Sequence, residues 1–373
     1  MTAFTRTDTS MLGRWWWTVD RWTIAAVVAI VAFGVMLTLA ASPAVADRLG
    51  YDSYYFVRRQ FAFLPLAVAV MFGVSLMSPR GVRRLAVTGF GIALLLMLAT
   101  YLFGLEIKGA RRWIEVGGLS LQPSELVKPT FAVIAAWLFA ATRDGAGVPG
   151  NQFAFAFYAM VGGLLLMQPD VGMAVVVSAA WFTQFFLAGL SMLWVVFGVM
   201  LGIGALVSTY FLLPHVASRI DRFIDPASGD SYQIMRSIDA FVSGGLWGRG
   251  PGEGEVKTVL PDAHTDFIFA VAGEEFGLVA CFIIAALFAT VVLRGFSRAV
   301  QDSSLFVMLA VTGILVQFGL QELVNMASAL HLIPTKGMTL PFISYGGSSL
   351  ISNALGIGMV LALTRRRVRE EGL

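Results

Sequence analysis

Residues Pro261 to Glu275 read PDAHTDFIFAVAGEE, a polar run carrying Asp262, His264 and Asp266 that enters a long apolar segment. A carboxylate at the mouth of such a segment loses solvation, and an ionisable group in an apolar span is a functional-site candidate unless a structural partner explains it. Asp266 is therefore a candidate catalytic residue. Thr265 or Asp266 capping the helix that starts here is the competing explanation, because both side chains accept hydrogen bonds from orphan backbone donors. The apolar segment that follows is too long for a soluble core helix and decides the fold class.

Composition agrees. The chain has 373 residues, 57% hydrophobic and 13% charged, with a mean hydropathy of +0.78. That is more apolar surface than a soluble core of this size hides. The net charge of +3 suits basic cytoplasmic loops and does not imply a nucleic-acid partner. Cys281, the single cysteine, lies in an apolar run, so no intramolecular disulfide is possible.

Residues 1–21 form a polar N-terminal segment ending in Trp15-Trp16-Trp17, residues suited to the headgroup layer. Apolar runs of spanning length follow at Trp22–Ala41, Phe61–Met77, Leu85–Gly104, Ser124–Ala141, Phe153–Met167, Gly172–Leu190, Leu193–Leu213, Asp266–Leu293, Leu305–Met326 and Gly347–Thr364. Ala44-Val45-Ala46 resembles a signal-peptidase site, but the preceding run exceeds the ~7 to 15 residues of a signal core, so cleavage is not expected. The prediction is an all-α membrane domain of ten helices over residues 22–364, with a long periplasmic loop at 214–265 between helices 7 and 8 and a tail at 365–373. Arg80, Arg83, Arg84, Arg294, Arg298 and Arg365-Arg366-Arg367 fall on one side with the N-terminal segment, which makes both termini cytoplasmic.

The outer side also holds many cations, including Arg111, Arg112, Lys257 and Lys336. Within the long loop, Ile234, Ile238, Phe241 and Val242 share one face of a predicted interfacial helix at Tyr232–Val242. The glycines from Gly244 to Gly254 lack the spacing of a nucleotide loop and read as a mobile stretch. Glu125 and Lys128, three apart in QPSELVK, lie on one helical face and can pair. Pro129 removes the donor for the Glu125 carbonyl, which predicts a kinked, locally open first turn. A self-neutralising ion pair and a functional pair are both consistent with that spacing. Glu274 and Glu275 lie about 12 Å or more beyond Asp266 along a helix, too far to share its proton, and suit packing or hydrogen bonding. His331 to Ser349 is a proline- and glycine-broken polar segment between two spans, a backbone tolerated at membrane depth when buried or lining a wet cavity. Lys336 there offers a charge to a phosphate or snorkels to the interface. His215, His264 and His331 have no zinc-ligand spacing, so no structural metal is predicted.

GARRW (109–113), QPSELVK (122–128), QPDVG (168–172), LPDAHTDFIFAVAGEEFG (260–277) and PTKGMTLPFISYGGSS (334–349) resemble the signature blocks of the SEDS family, the ten-span RodA/FtsW/SpoVE proteins of bacterial wall synthesis. The resemblance covers nearly the whole membrane domain. The PTKG block and the Asp-Ala-His-Thr-Asp-Phe string are more similar to the division members than to the elongation members. Met173 stands where the family usually has threonine, a departure expected to matter little a turn inside an apolar span.

The resemblance implies a peptidoglycan glycosyltransferase that polymerises lipid II at the outer face of the bacterial inner membrane during septal wall synthesis. Within it Asp266 matches the functional aspartate, and Glu125 and Lys128 match a polar pair that orients Asp266 or the substrate. Arg111, Arg112, Lys257 and Lys336 are pyrophosphate-clamp candidates, with Ser344 and Ser348 as further substrate-binding candidates. No cofactor is expected, with a divalent-ion requirement left open. The implied partners are lipid II, a class B penicillin-binding protein and other division membrane proteins. A lipid II flippase, a scaffold without chemistry and an elongation polymerase are the rival readings. A transporter places substrate-coupled charges near the midplane, whereas the candidates here cluster at the outer ends of spans.

Overall fold

The computed structural model describes residues 10–366 except 108–109, 117–118, 146, 190–191, 213, 225–231 and 336. Lys336, one of the clamp candidates, therefore lies outside the described residues. A short helix α1 (Met11–Thr18) precedes α2 (Arg21–Arg48), α3 (Tyr55–Ser75) and α4 (Pro79–Phe103). Three short strands follow, β1 (Leu105–Ile107), β2 (Ala110–Val116) and β3 (Leu119–Leu121), antiparallel in that order. Then come α5 (Pro123–Arg143), α6 (Gly150–Met167), α7 (Val171–Leu187), α8 (Met192–Leu212), α9 (Pro214–Ile224), α10 (Tyr232–Gly244) and α11 (Val256–Val259). The chain finishes with α12 (Ile268–Val300), α13 (Leu305–Ala329) and α14 (Gly347–Leu363).

Among the described residues, seven helices, α2 to α6, α12 and α13, are long and apolar enough to cross a membrane, and shorter apolar helices occur in α7, α8 and α14. Every apolar run read from the sequence falls on one of these elements. α2 continues through Ala44-Val45-Ala46. The predicted architecture is thus helical throughout, apart from the small sheet between α4 and α5, which the apolar periodicity did not signal. The chain is an integral membrane protein. Burial separates the helices: 78% of the apolar window of α5 and 67% of that of α13 is buried, against 22% for α6. α5 and α13 pack on each other at the centre with α14, itself almost wholly buried, against them, while helices such as α2, α4 and α6 present leucine, valine and phenylalanine outward. Outward apolar side chains cost nothing in lipid, so the core is where the polar side chains are found.

Two ends are distinguishable. At one, Trp15 Nε1 donates to Ser75 Oγ, Arg294 meets Asp20, and the Arg366 N–H donates to the Thr18 carbonyl. At the other, Arg48 donates to the Leu260 carbonyl, and the N–H of Tyr345 donates to the carbonyl of His264. All the turns that carry the sequence motifs lie at this second end.

The glycine-rich stretch is not the mobile loop that its composition suggests. α12 is interrupted at Gly277, whose φ of 75° leaves helical backbone groups unpaired. The stretch supplies the partners: the Arg249 and Gly250 N–H groups donate to the Glu274 and Glu275 carbonyls. In return, the Leu278 and Val279 N–H groups donate to the Gly245 and Leu246 carbonyls. The predicted amphipathic helix is present as α10, packed on α12 with Phe241 against Phe269, and Ile234 is buried. Ile238 and Val242, placed on the same face from sequence, are instead exposed.

Candidate functional site

Pro123 opens α5 as its first residue, where a missing N–H removes nothing, and so places Glu125 in the first turn. Glu125 and Lys128 are 5% and 3% exposed and 2.7 Å apart. The Lys128 ammonium also donates to Gln321 Oε1 of α13, and Gln321 Nε2 donates to the Thr339 carbonyl at 2.8 Å. Thr339 Oγ1 in turn pairs with Ser349 Oγ of α14 at 2.8 Å. A polar chain thus runs from α5 through α13 to the segment before α14, in a place where unpaired members would be costly. The carbonyl freed by Pro129 accepts from Ser352 Oγ at 2.6 Å, so this turn is tied to α14 rather than open.

Asp266 ends a turn whose geometry is set by backbone. Its N–H donates to the Asp262 carbonyl at 3.1 Å, and its carbonyl accepts from Asn325 Nδ2 at 3.0 Å. The same Asn325 amide group donates to the Met338 carbonyl, binding the turn to the segment before α14. Gly337 lets that segment come close: a Cβ there would stand 3.0 Å from Asp266 Oδ2. α12 starts at Ile268 with Phe267 at its N-cap and no side-chain cap bond, so helix capping does not account for Thr265 or Asp266. Ser344, buried, donates to the Thr265 carbonyl and accepts from the Leu340 N–H. Its place is in the scaffold of the turn.

Beside the turn, His264 lies between Phe56 and Tyr345, ring centroids 4.4 and 5.5 Å away. Burial pushes its imidazole down to about 4, against the pull of Asp262 in the other direction.

These elements surround one cavity of about 560 Å³. Asp266, Glu125, Arg112, Asp170, Arg59 and Ser348 all line it. Arg112 donates through Nε to the Gln168 carbonyl at 2.7 Å and stands 3.5 Å from Asp170, which caps α7 by accepting from the Met173 N–H. The QPDVG turn is therefore an Arg112 holder. Met173, a departure from the family pattern, lies on the cavity wall. Ser348 Oγ accepts from the Gln122 N–H and joins the strand region to α14.

Two other candidates lie elsewhere. Arg111 points outward and pairs with Glu106. Lys257 is buried, its ammonium bonded to Glu275 and to the Gly252 carbonyl, while Glu274 accepts the N–H groups of Val256 and Lys257. Neither lines the cavity, and Lys257 and the two glutamates together fasten α11 to α12. Sequence reasoning missed Arg59, whose guanidinium donates to Tyr55 Oη at 3.0 Å at the cavity rim. A cation two residues before an apolar run at the outer end was the available signal. The amide anchors Gln321 and Asn325 carried no such signal, being uncharged side chains within an apolar run.

A helical membrane bundle with a charged cavity at one end defines an integral membrane protein able to hold a polar, charged group at the bilayer surface. The chain belongs to the FtsW/RodA/SpoVE family of cell cycle proteins, whose profile matches residues 21–369. It is similar to a probable peptidoglycan glycosyltransferase FtsW of Caulobacter vibrioides, 44% identical over 98% of this chain and 94% of that one. A Coxiella burnetii protein of the same description is 34% identical over 93% and 96%. Among solved structures, a chain from a peptidoglycan synthase complex that coordinates polymerization and crosslinking matches with a TM-score of 0.75 at 30% identity, covering 93% of this chain and 97% of that one. The rod shape determining protein RodA of Thermus thermophilus matches with a TM-score of 0.67 at 29% identity, covering 94% and 97%.

Proposed function

We infer that the protein is a peptidoglycan glycosyltransferase of septal wall synthesis, polymerising lipid II at the cavity that Asp266 lines. The observation that carries this reading is the meeting of Asp266, Glu125, Arg59 and Arg112 in one cavity at the end of a membrane bundle. In the proposed reaction the Asp266 carboxylate takes the proton of an acceptor sugar hydroxyl. The hydroxyl oxygen bonds to the donor's anomeric carbon as the carbon–oxygen bond to the lipid pyrophosphate breaks, turning an α-linked donor into a β-linked strand. Charge grows on the departing pyrophosphate, where fixed guanidinium groups stabilise it. Arg112, aimed by Gln168 and Asp170, suits that task, and Arg59 joins it at the rim. Glu125 and Lys128 hold the wall through Gln321 and Thr339, next to the Asp266 turn.

In this reading the chain crosses the membrane ten times, with both termini cytoplasmic and the cavity facing outward, and works at the septum with a class B penicillin-binding protein and other division proteins. No cofactor enters the reaction, and chelation by EDTA in the assay checks for a divalent-ion requirement. Purified protein with its transpeptidase partner is expected to polymerise fluorescent lipid II in the presence of moenomycin, which silences unrelated glycosyltransferases. Asp266→Asn should lower the rate on the order of 10² to 10⁴ while the protein folds and binds its partner. Absence of polymer from the active complex, together with protein-dependent movement of lipid II across liposomes, would favour a flippase.

A further inference from the structure

The end of the molecule opposite the Asp266 cavity carries a different kind of hollow. Asp20, 2% exposed, accepts the Trp22 N–H and the Thr23 hydroxyl and lies 2.6 Å from Arg294 and 3.0 Å from Arg298 of α12. Burial pushes its carboxyl up, but the bonds from Arg294 and Thr23 and the nearby Arg298 outweigh that and hold it below the ordinary range. The Arg366 N–H donates to the Thr18 carbonyl, which ties the segment after α14 to the end of α1. Around this junction lie two hollows of about 490 and 660 Å³ that share Arg294, Arg298 and Arg366.

Arg21 completes the first hollow and Arg365 the second, so among the described residues five arginines face two carboxylates, Asp20 and Asp302. The Asp20 carboxylate is already engaged by two of the five, and Asp302 accepts the Ser304 N–H of its own loop. The balance among these residues is short of negative charge. Burial, and then the proximity of Arg14, push the Arg365 guanidinium down. Trp17 and Trp22 line the first hollow, and Trp22 is 69% exposed. Exposed indole beside arginine is the pattern of the headgroup layer, where phosphates are the anions at hand.

We propose that these joined hollows bind the phosphate of an anionic phospholipid, held between Arg21 of α2, Arg294 and Arg298 of α12, and Arg365 and Arg366 after α14. Guanidinium forks match phosphate oxygens two at a time, which suits arginine rather than lysine for the task. The general preference for cations on one side of a membrane explains the sign of the charge here. It does not explain why three stretches distant in sequence converge on two hollows around one buried carboxylate. The site is separate from the proposed chemistry and stands without it.

Native mass spectrometry of the full chain, titrated with phosphatidylglycerol or phosphatidylcholine, tests the proposal. Phosphatidylglycerol should be retained in preference, and Arg365→Gln with Arg366→Gln should weaken it by about tenfold or more, two arginine–phosphate contacts being lost. Arg21→Gln, which leaves the Asp20 ion pairs in place, should weaken it in the same direction. Arg80→Gln with Arg84→Gln removes two exposed arginines from the start of α4, outside the hollows, and should leave the affinity unchanged. Equal loss in the two double variants, or no preference for phosphatidylglycerol in the parent protein, would overturn the proposal. Binding of inorganic pyrophosphate without lipid, with full displacement of phosphatidylglycerol, would reassign the hollows to a soluble phosphate.

Discussion

At the scale of single residues, Glu125 and Lys128 show how burial turns a common spacing into a constraint. On an exposed helix such a pair contributes a few tenths of a kcal/mol. Here both groups are out of water, so removing one leaves the other uncompensated, at a cost on the order of 3–5 kcal/mol. Glu125→Gln and Lys128→Met, singly and together, are expected to be non-additive by more than about 1 kcal/mol in thermal unfolding of the detergent-solubilised protein. Simple additivity would mean that the 2.7 Å contact carries no coupling. His264 makes a second, pH-dependent case. Its folded value of about 4 lies below the ordinary 6.5, so the unfolded chain binds the proton first as pH falls. The stability it contributes is complete above pH ~6.5 and declines toward pH 4, by roughly 3 kcal/mol in all. Between pH 7 and 4.5, His264→Gln should show a smaller drop in unfolding temperature than the parent, and parallel curves would refute this. The sequence displayed Asp266, Glu125 and Arg112 as charges in odd places, and the cavity unites them. Arg59 left a weaker mark, a cation just before an apolar run, while Asn325 left none, because its importance comes from what faces it across the bundle and a neighbour in space leaves no trace on a one-dimensional pattern.

At the scale of elements, apolar runs were legible because lipid imposes length and hydropathy on every span. The short strands between α4 and α5 were not, since two of them have only three residues and the seven of Ala110–Val116, ARRWIEV, do not alternate. Nor was the order of the glycine-rich stretch, whose composition argues for freedom while its backbone groups serve the break in α12. Gly277 is the test of that account. Alanine there would be held at φ 75°, with a Cβ 2.3 Å from the Leu246 carbonyl oxygen. The strained backbone alone costs on the order of 1–3 kcal/mol, and the clash adds to it. Gly277→Ala should therefore lower the unfolding temperature and open the 245–250 stretch to proteolysis. A variant as stable and as protected as the parent would show that the stretch does not brace the break.

At the scale of the whole molecule, the two ends differ in charge logic among the described residues: carboxylates paired with cations around a cavity at one, a surplus of arginine at the other. Orientation follows as a prediction. In a Cys281→Ser background, Glu253→Cys should react with an impermeant maleimide on intact cells, and Ser303→Cys only after permeabilisation; both positions are exposed, at opposite ends. The reverse pattern would turn the cavity toward the cytoplasm. The contact that closes the arginine-rich end also has a history. Asp20 and Arg294 are 274 residues apart, and a bacterial ribosome adding ~5–20 residues each second takes roughly 14 to 55 s to connect them. For that interval the first long helix is already made while its carboxylate has no guanidinium to meet. During synthesis, then, Asp20 has to wait in the wet surface layer, and its ion pairs close that end only as the last third of the chain arrives.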